Sequence, residues 1–164
     1  MRAHWAMLKF MARHKWHVFW ACVMLDVPLW NALIHDWTKF MPAEWFAHVH
    51  AFFEMDGTPK TVRRSDGSYN VVRVNSELTR AWLNHQCNKH HWQAWVAIGA
   101  GGDLVPVPIP DEYIREMVAD FIGAGKANHS AMGARLWYAR NAHTLLLEAE
   151  TRKKLEHYLE VYGG

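Results

Sequence analysis

The sequence predicts an all-α fold, one helical bundle of six or seven helices over residues 1–164 with a small polar excursion at about 56–75. Three observations lead there. Apolar residues recur at helical spacing over long stretches, Pro and Gly punctuate the chain at roughly helix-length intervals, and 164 residues suffice to bury one core without disulfide staples.

From about His4 to Leu25 no Gly or Pro interrupts a pattern that includes Leu8, Met11, Trp16, Phe19, Trp20 and Val23, which defines helix 1. Asp26 is placed to cap helix 2, with Pro28 in its first turn and Leu29, Leu33, Trp37 and Phe40 as its apolar stripe. Pro42 opens a third helix through Trp45, Phe46, Val49, Phe52 and Phe53, ending near Asp56-Gly57. Gly57, Pro59 and the turn signal Ser65-Asp66-Gly67-Ser68 then mark a surface excursion, as a loop or a short β-hairpin carrying Arg63, Arg64 and Arg73. Ser76 suits the N-cap of a helix through Trp82 and His85, which continues or restarts through His91 to Ile98 until Gly99, Gly101 and Gly102 stop it. An extended segment from Val105 to Pro110 leads into a helix whose first turn, Asp111-Glu112, complements the helix dipole and which runs to about Ala124. Two further helices are expected, around Ala131 to Arg140 and from about Leu147 to Tyr162.

Composition narrows the function classes. A formal charge of +2 provides no strong field for gripping nucleic acid or an anionic membrane, so any anion must be bound locally. Cys22 and Cys87 lack the density of a disulfide framework and the spacing of a zinc knuckle. The apolar N-terminal stretches are broken by His14, Lys15 and His17, so a cytoplasmic protein without a membrane span is expected. Ten Trp and 12 His are both in excess. A Trp-built core is the plain expectation for the first, and metal binding or titration near neutrality for the second.

The chemistry centres on Leu33-Ile34-His35-Asp36-Trp37-Thr38-Lys39. Chance alone supplies a His-Asp pair roughly half the time at this composition, so its surroundings decide. On a helix, adjacent side chains point about 100° apart, and one ion can reach both only beside the helix, with other helices adding ligands. His14 and His17 on helix 1, His85, His90 and His91, and Asp120 inside the apolar run Met117 to Ile122 are the available partners. A buried carboxylate such as Asp120 must be paired or coordinated. The plainer alternative is a buried polar pair satisfied by backbone and Trp N–H groups, without metal.

His14-x-x-x-Val18, then Leu33-Ile34-His35-Asp36-x-x-Lys39, then Ala119-Asp120 resembles the HD-domain metal-dependent phosphohydrolase superfamily. The resemblance implies that His14, His35, Asp36 and Asp120 bind a first divalent metal, with His14 favoured over His17 by its spacing to Val18. It further implies that Asp36 bridges to a second metal held by His85, His90 and His91. The tandem His90-His91 is similar to the paired histidines of cyclic-dinucleotide phosphodiesterases in that superfamily, although their Gly-Tyr-Pro signature is absent. Through His14-Lys15-Trp16, Ile34 to Phe40, Glu44-Trp45, His90-His91-Trp92 and Arg115 to Asp120, the chain also resembles, over most of its length, a group of phage and bacterial proteins rich in His and Trp.

Mn²⁺ or Fe²⁺ suits such a mixed imidazole and carboxylate set, and Zn²⁺ and Co²⁺ also fit, as one or two ions. Asp36 and Lys39 are the catalytic candidates, Lys39 as a point charge toward a phosphate. Lys126, Arg135, Tyr138 and Asn141 are candidate substrate contacts, beside Arg140, and Glu44 and His50 are reserve ligands, with His48 nearby. His4, His129, His143 and His157 are read as structural or exposed. The implied substrate is a small phosphorylated molecule such as a nucleotide, with homo-oligomerisation left open. A di-iron oxygenase using the same ligands and a non-catalytic interaction protein are the alternatives. No Gly-rich phosphate loop, Gly-x-Ser-x-Gly elbow or His-Glu-x-x-His helix is present.

Overall fold

The computed structural model describes residues 1–60 and 76–164. Among these it is mostly helical, with seven α-helices and one two-stranded hairpin. In α1 (Arg2–Met24) the buried positions Ala3, Met7, Met11, His14, Val18 and Ala21 advance by three or four residues, with Cys22 beside the last, so a single stripe faces inward. α5 (Asp111–Ala127) packs across it, and the close approach depends on Gly123, where an added Cβ would lie 2.8 Å from the Val18 backbone nitrogen. Around this crossing Val18, Cys22 and Leu25 join Ile114, Met117 and Val118 of α5 in the larger apolar core. Leu155 and Leu159 of α7 (Ala149–Tyr162) complete it. The Glu148 side chain caps α7 by accepting from the Glu150 and Thr151 backbone N–H groups. A smaller core joins Ala3, Met7 and Met11 to Val49 of α3 (Pro42–Phe52). His14 therefore sits on α1 between two apolar clusters.

Helix 2 departs from expectation. α2 spans only Leu29–Ile34, Pro28 is its N-cap, and a 3-10 turn, Trp37–Phe40, follows after a break. Asp36 occupies the break with a left-handed φ of 57°, a conformation that Asp tolerates better than most residues. Lys15 of α1 stabilises the helix end, its ammonium donating to the carbonyls of Leu33 (3.1 Å) and His35 (2.6 Å). The expected stripe of Leu29, Leu33, Trp37 and Phe40 points outward, while Ala32, His35 and Asp36 point inward.

The Trp core is also overturned. Trp5, Trp16, Trp20, Trp30 and Trp37 are each about half exposed or more, at 58, 61, 49, 68 and 51%. Trp45, Trp82, Trp92, Trp95 and Trp137 are half-buried. An indole does not fit the narrow α1–α5 crossing, where inward positions hold Ala, Val, Met and Gly.

α4 (Ser76–His85) includes Ser76 as its first residue, one position inside the expected N-cap. The expected helical continuation to Ile98 is instead a turn, a 3-10 segment (Trp92–Trp95) and strand β1 (Val96–Ile98), antiparallel to β2 (Leu104–Pro106). β-branched Val96 and Ile98 favour the strand, and Gly102, at φ +84°, makes the connecting turn. A three-residue apolar run carries too little periodicity to separate strand from helix. Residues 61–75, with Arg63, Arg64 and Arg73, lie outside the described residues. α6 (Ala134–Asn141) closes the set and packs on α5 and α7.

Candidate metal centre

The break after α2 turns both His35 and Asp36 into the interior, each only 2% exposed. α1 contributes His14, α5 contributes Asp120, α4 ends on His85, and the following turn presents His90 and His91. The side chains form two groups about Asp36. In the first, Asp36 Oδ2 lies 3.0 Å from His14 Nε2 and 3.6 Å from His35 Nε2. Asp120 Oδ1 completes it at 3.4 Å from His14 Nε2 and 3.5 Å from His35 Nε2. In the second, Asp36 Oδ1 lies 3.4 Å from both His85 Nε2 and His90 Nε2, and His91 Nε2 is 2.9 Å from His85 Nε2.

Each set of four residues offers ligand atoms within 4.8 Å of one another. Bonds of about 2.0–2.2 Å to a central cation would place ligand atoms roughly 3–4.4 Å apart. The orphaned atoms agree with such a centre: His35 Nε2, His90 Nε2 and Asp36 Oδ1 are buried and lack a hydrogen-bond partner among the described residues. Uncompensated buried polar atoms are costly, and two imidazole nitrogens facing one carboxylate, itself with an unpartnered oxygen, make a cation the economical explanation. The residues fit a divalent metal, and nothing in the geometry favours one metal over another.

Outer contacts hold these groups. Lys39 Nζ sits 2.5 Å from Asp36 Oδ2. Glu116, on α5 one turn before Asp120, accepts from His35 Nδ1 at 3.0 Å and from Asn31 Nδ2 at 3.3 Å, and its Oε1 is 3.2 Å from His90 Nδ1. Glu44 Oε2 lies 3.3 Å from His85 Nδ1. Asn88 Nδ2 donates to the His85 carbonyl at 2.8 Å.

Burial and charge compete at Asp36, His35 and Glu116. Burial works against ionisation of Asp36, yet Lys39 and His35 hold it well below the ordinary carboxylate range. Burial likewise opposes the charge on His35, but Asp36, Asp120 and Glu116 outweigh it and raise the imidazole to about 10. Glu116 is driven upward by burial and brought down to about 2 by its His35 and His90 contacts. His85 goes the other way, to about 3, through burial and the Lys39 charge. Burial, with His90 and His85 adding repulsion, also lowers His91. Neutral His85 and His91 are in the protonation state that a metal requires.

The structure thus brings His14, His35, Asp36, His85, His90, His91 and Asp120 together, with Lys39 against Asp36. His17 lies outside both groups. Of the reserve ligands, Glu44 is buried beside His85, whereas exposed His50 faces Glu77 at 3.6 Å. His48 is buried, its Nδ1 donating to the Glu44 carbonyl at 2.7 Å. Lys126 and Arg135 are exposed and belong to neither group. Tyr138 lies outside both groups, its hydroxyl donating to Glu156 and accepting from Arg152, both at 2.9 Å, which ties α6 to α7. Asn141 Nδ2 is similarly engaged, donating to the Trp137 carbonyl at 2.8 Å. Two surface clefts, one against Ser76, Arg80 and Asn84 and one against Phe40, Pro42, Trp45 and Phe46, are lined by no ligand candidate.

Glu116 escaped sequence reasoning. Its signal was its position four residues before Asp120, which puts two carboxylates on one otherwise apolar face of the helix.

Among the described residues no helix is long and apolar enough to cross a membrane. No curated protein and no solved structure matches the chain. A match to a family model extends over residues 3–161, nearly the whole sequence and both ligand groups with it, and the chain belongs to that family, DUF5662, a family of unknown function.

Proposed function

We propose that the protein is a metal-dependent phosphohydrolase of the HD type, acting on a nucleotide or another small phosphate ester. One observation carries the reading: Asp36 presents Oδ2 to His14 and His35 and Oδ1 to His85 and His90, as a carboxylate shared between two cations must. His14, His35 and Asp120 would hold one ion and His85, His90 and His91 the other. The order His, His-Asp, Asp along the chain supports the same assignment. Mn²⁺ or Fe²⁺ suits the donor set, and Zn²⁺ or Co²⁺ also satisfies it. Two such ions lower the pKa of a bound water and neutralise a phosphoryl group during in-line displacement.

The chain's own residues prepare that chemistry. Asp36 keeps its negative charge because Lys39 and His35 face it. Lys39, paired with Asp36, supplies the ammonium nearest the centre for a phosphoryl oxygen, as a point charge. Glu116 holds the His35 imidazole from behind and faces that of His90, which fixes the ring orientations.

Elemental analysis of protein purified without chelator, followed by phosphate-release assays on nucleotides and simple phosphate esters with Mn²⁺, tests the proposal. Bound divalent metal and turnover that is lost in Asp36→Asn are expected. Metal-free protein that takes up no ion and releases no phosphate overturns it. Oxygen consumption by the Fe²⁺-loaded protein without phosphate release overturns the hydrolase assignment alone.

A further inference from the structure

Glu116 touches both halves of the centre. Its Oε1 lies 3.0 Å from His35 Nδ1 and 3.2 Å from His90 Nδ1, and its Oε2 accepts from Asn31 Nδ2 at 3.3 Å. An ionised carboxylate only accepts, so both Nδ1 atoms carry their protons toward it and Nε2 is the nitrogen left for a cation. Both Nε2 atoms are buried and without a hydrogen-bond partner among the described residues. They reach opposite oxygens of Asp36, His35 toward Oδ2 at 3.6 Å and His90 toward Oδ1 at 3.4 Å. The two rings are 4.3 Å apart between centroids and tilted by 41°, so neither turns without disturbing the other.

We infer that Glu116 is a positioning residue shared by the two metal sites, one carboxylate oxygen fixing the tautomer and ring orientation of a ligand in each. The inference rests on the two-site reading of the centre. It adds that the sites are not independent. Asn31 on α2 fixes the other carboxylate oxygen, so Glu116 also ties the segment before the His35-Asp36 break to α5. Outer-shell partners of metal-bound histidine commonly contribute 10–100-fold in affinity. Here a single side chain serves as that partner twice, and its loss must weaken both ions together. His91, by contrast, belongs to the second group only.

The test titrates metal-free wild type, Glu116→Gln and His91→Ala with Co²⁺. Visible absorption reads affinity and stoichiometry, and proton NMR reads the shifted, exchangeable imidazole N–H signals. Gln keeps the shape and one neutral acceptor oxygen. Expected in Glu116→Gln is a joint loss of roughly 10–100-fold at both sites, with the His35 and His90 N–H signals both displaced. His91→Ala is expected to weaken one ion only. A burial role alone would lower the thermal midpoint without moving those N–H signals. Wild-type affinity at both sites in Glu116→Gln, or weakening of one site alone, overturns the shared role. Should Glu116→Gln fail to fold, Glu116→Asp retains the charge but withdraws it by one methylene, and unchanged affinities there overturn the inference equally. Wild type that binds fewer than two Co²⁺ ions overturns the two-site reading itself, a result distinguishable from two ions bound by an indifferent Glu116 variant.

Discussion

Asp36 is the residue on which the centre depends, since its two oxygens face the two ligand groups and the left-handed backbone brings them inward. Asn shares the tolerance for that backbone conformation, so Asp36→Asn isolates the charge from the fold. Its expected outcome is loss of both ions in elemental analysis, with helical circular dichroism retained. His35 provides a second test at this scale. In the metal-free protein its pKa is raised from 6.5 to about 10, so the charged imidazole contributes stability that is present below pH 6.5 and lost as pH rises through about 10. A metal must displace that proton. Loading at pH 7–8 in weak buffer is therefore expected to release protons, read with an indicator dye, and affinity is expected to rise with pH. Loading without proton release would contradict the assignment of His35 as a ligand. The ligand candidates were legible as residues because His and Asp at these places have few other uses inside a bundle. Glu116 was not, because Arg115-Glu116-Met117 reads as any helix surface until α1 and α2 are packed against it.

At the scale of elements, periodicity identified most helices but not which side of them faces inward. α1 and α2 both carry an apolar side that is exposed, including Trp16, Trp20, Trp30 and Leu33, and an inner side occupied by smaller residues and ligands. Trp is larger and more apolar than Ala or His, so a reading by hydrophobic strength selects the outer stripe. The inner stripe of α1 is set by the close approach of α5. Gly123→Ala places a methyl group against Val18, with 2.9 Å to its Cα, and backbone cannot yield as a flexible side chain can. A cost of about 1–3 kcal/mol is expected from such overpacking, measured by denaturant unfolding. Because His14 on α1 and Asp120 on α5 lie within one turn of that crossing, metal affinity should fall as well. A variant with native stability and native affinity would show that the two helices separate freely. The hairpin at Val96–Pro106 was hidden for another reason, its strands being only three residues long.

Across the whole molecule, the His/Asp groups join segments that are far apart in sequence: the start of the chain, the α2 break, the turn after α4 and the middle of α5. A ligand that binds only the folded state stabilises it by about 2.7 kcal/mol at one hundred times its Kd. For a chain of this size that corresponds to a midpoint shift of roughly 5–10 °C. Chelator treatment of metal-loaded protein is expected to lower the thermal midpoint by that order, with restoration on adding metal, and an unchanged midpoint would argue against bound ions.

The position of His14 between two apolar clusters has a consequence for how the protein comes apart. Met7 and Met11 pack with Val49, while Val18 and Cys22 pack with α5 and α7, and the polar groups lie at the junction. Loaded, that junction is a cross-link, and the two cores are expected to open as one unit. Stripped, it is a patch of competing charges, and the half of α1 before His14 becomes free to unfold by itself. Amide hydrogen exchange at Met7 and Met11 in chelator, compared with Val18 and Cys22, would then reveal two cooperative units in a chain whose helix 1 runs unbroken through both.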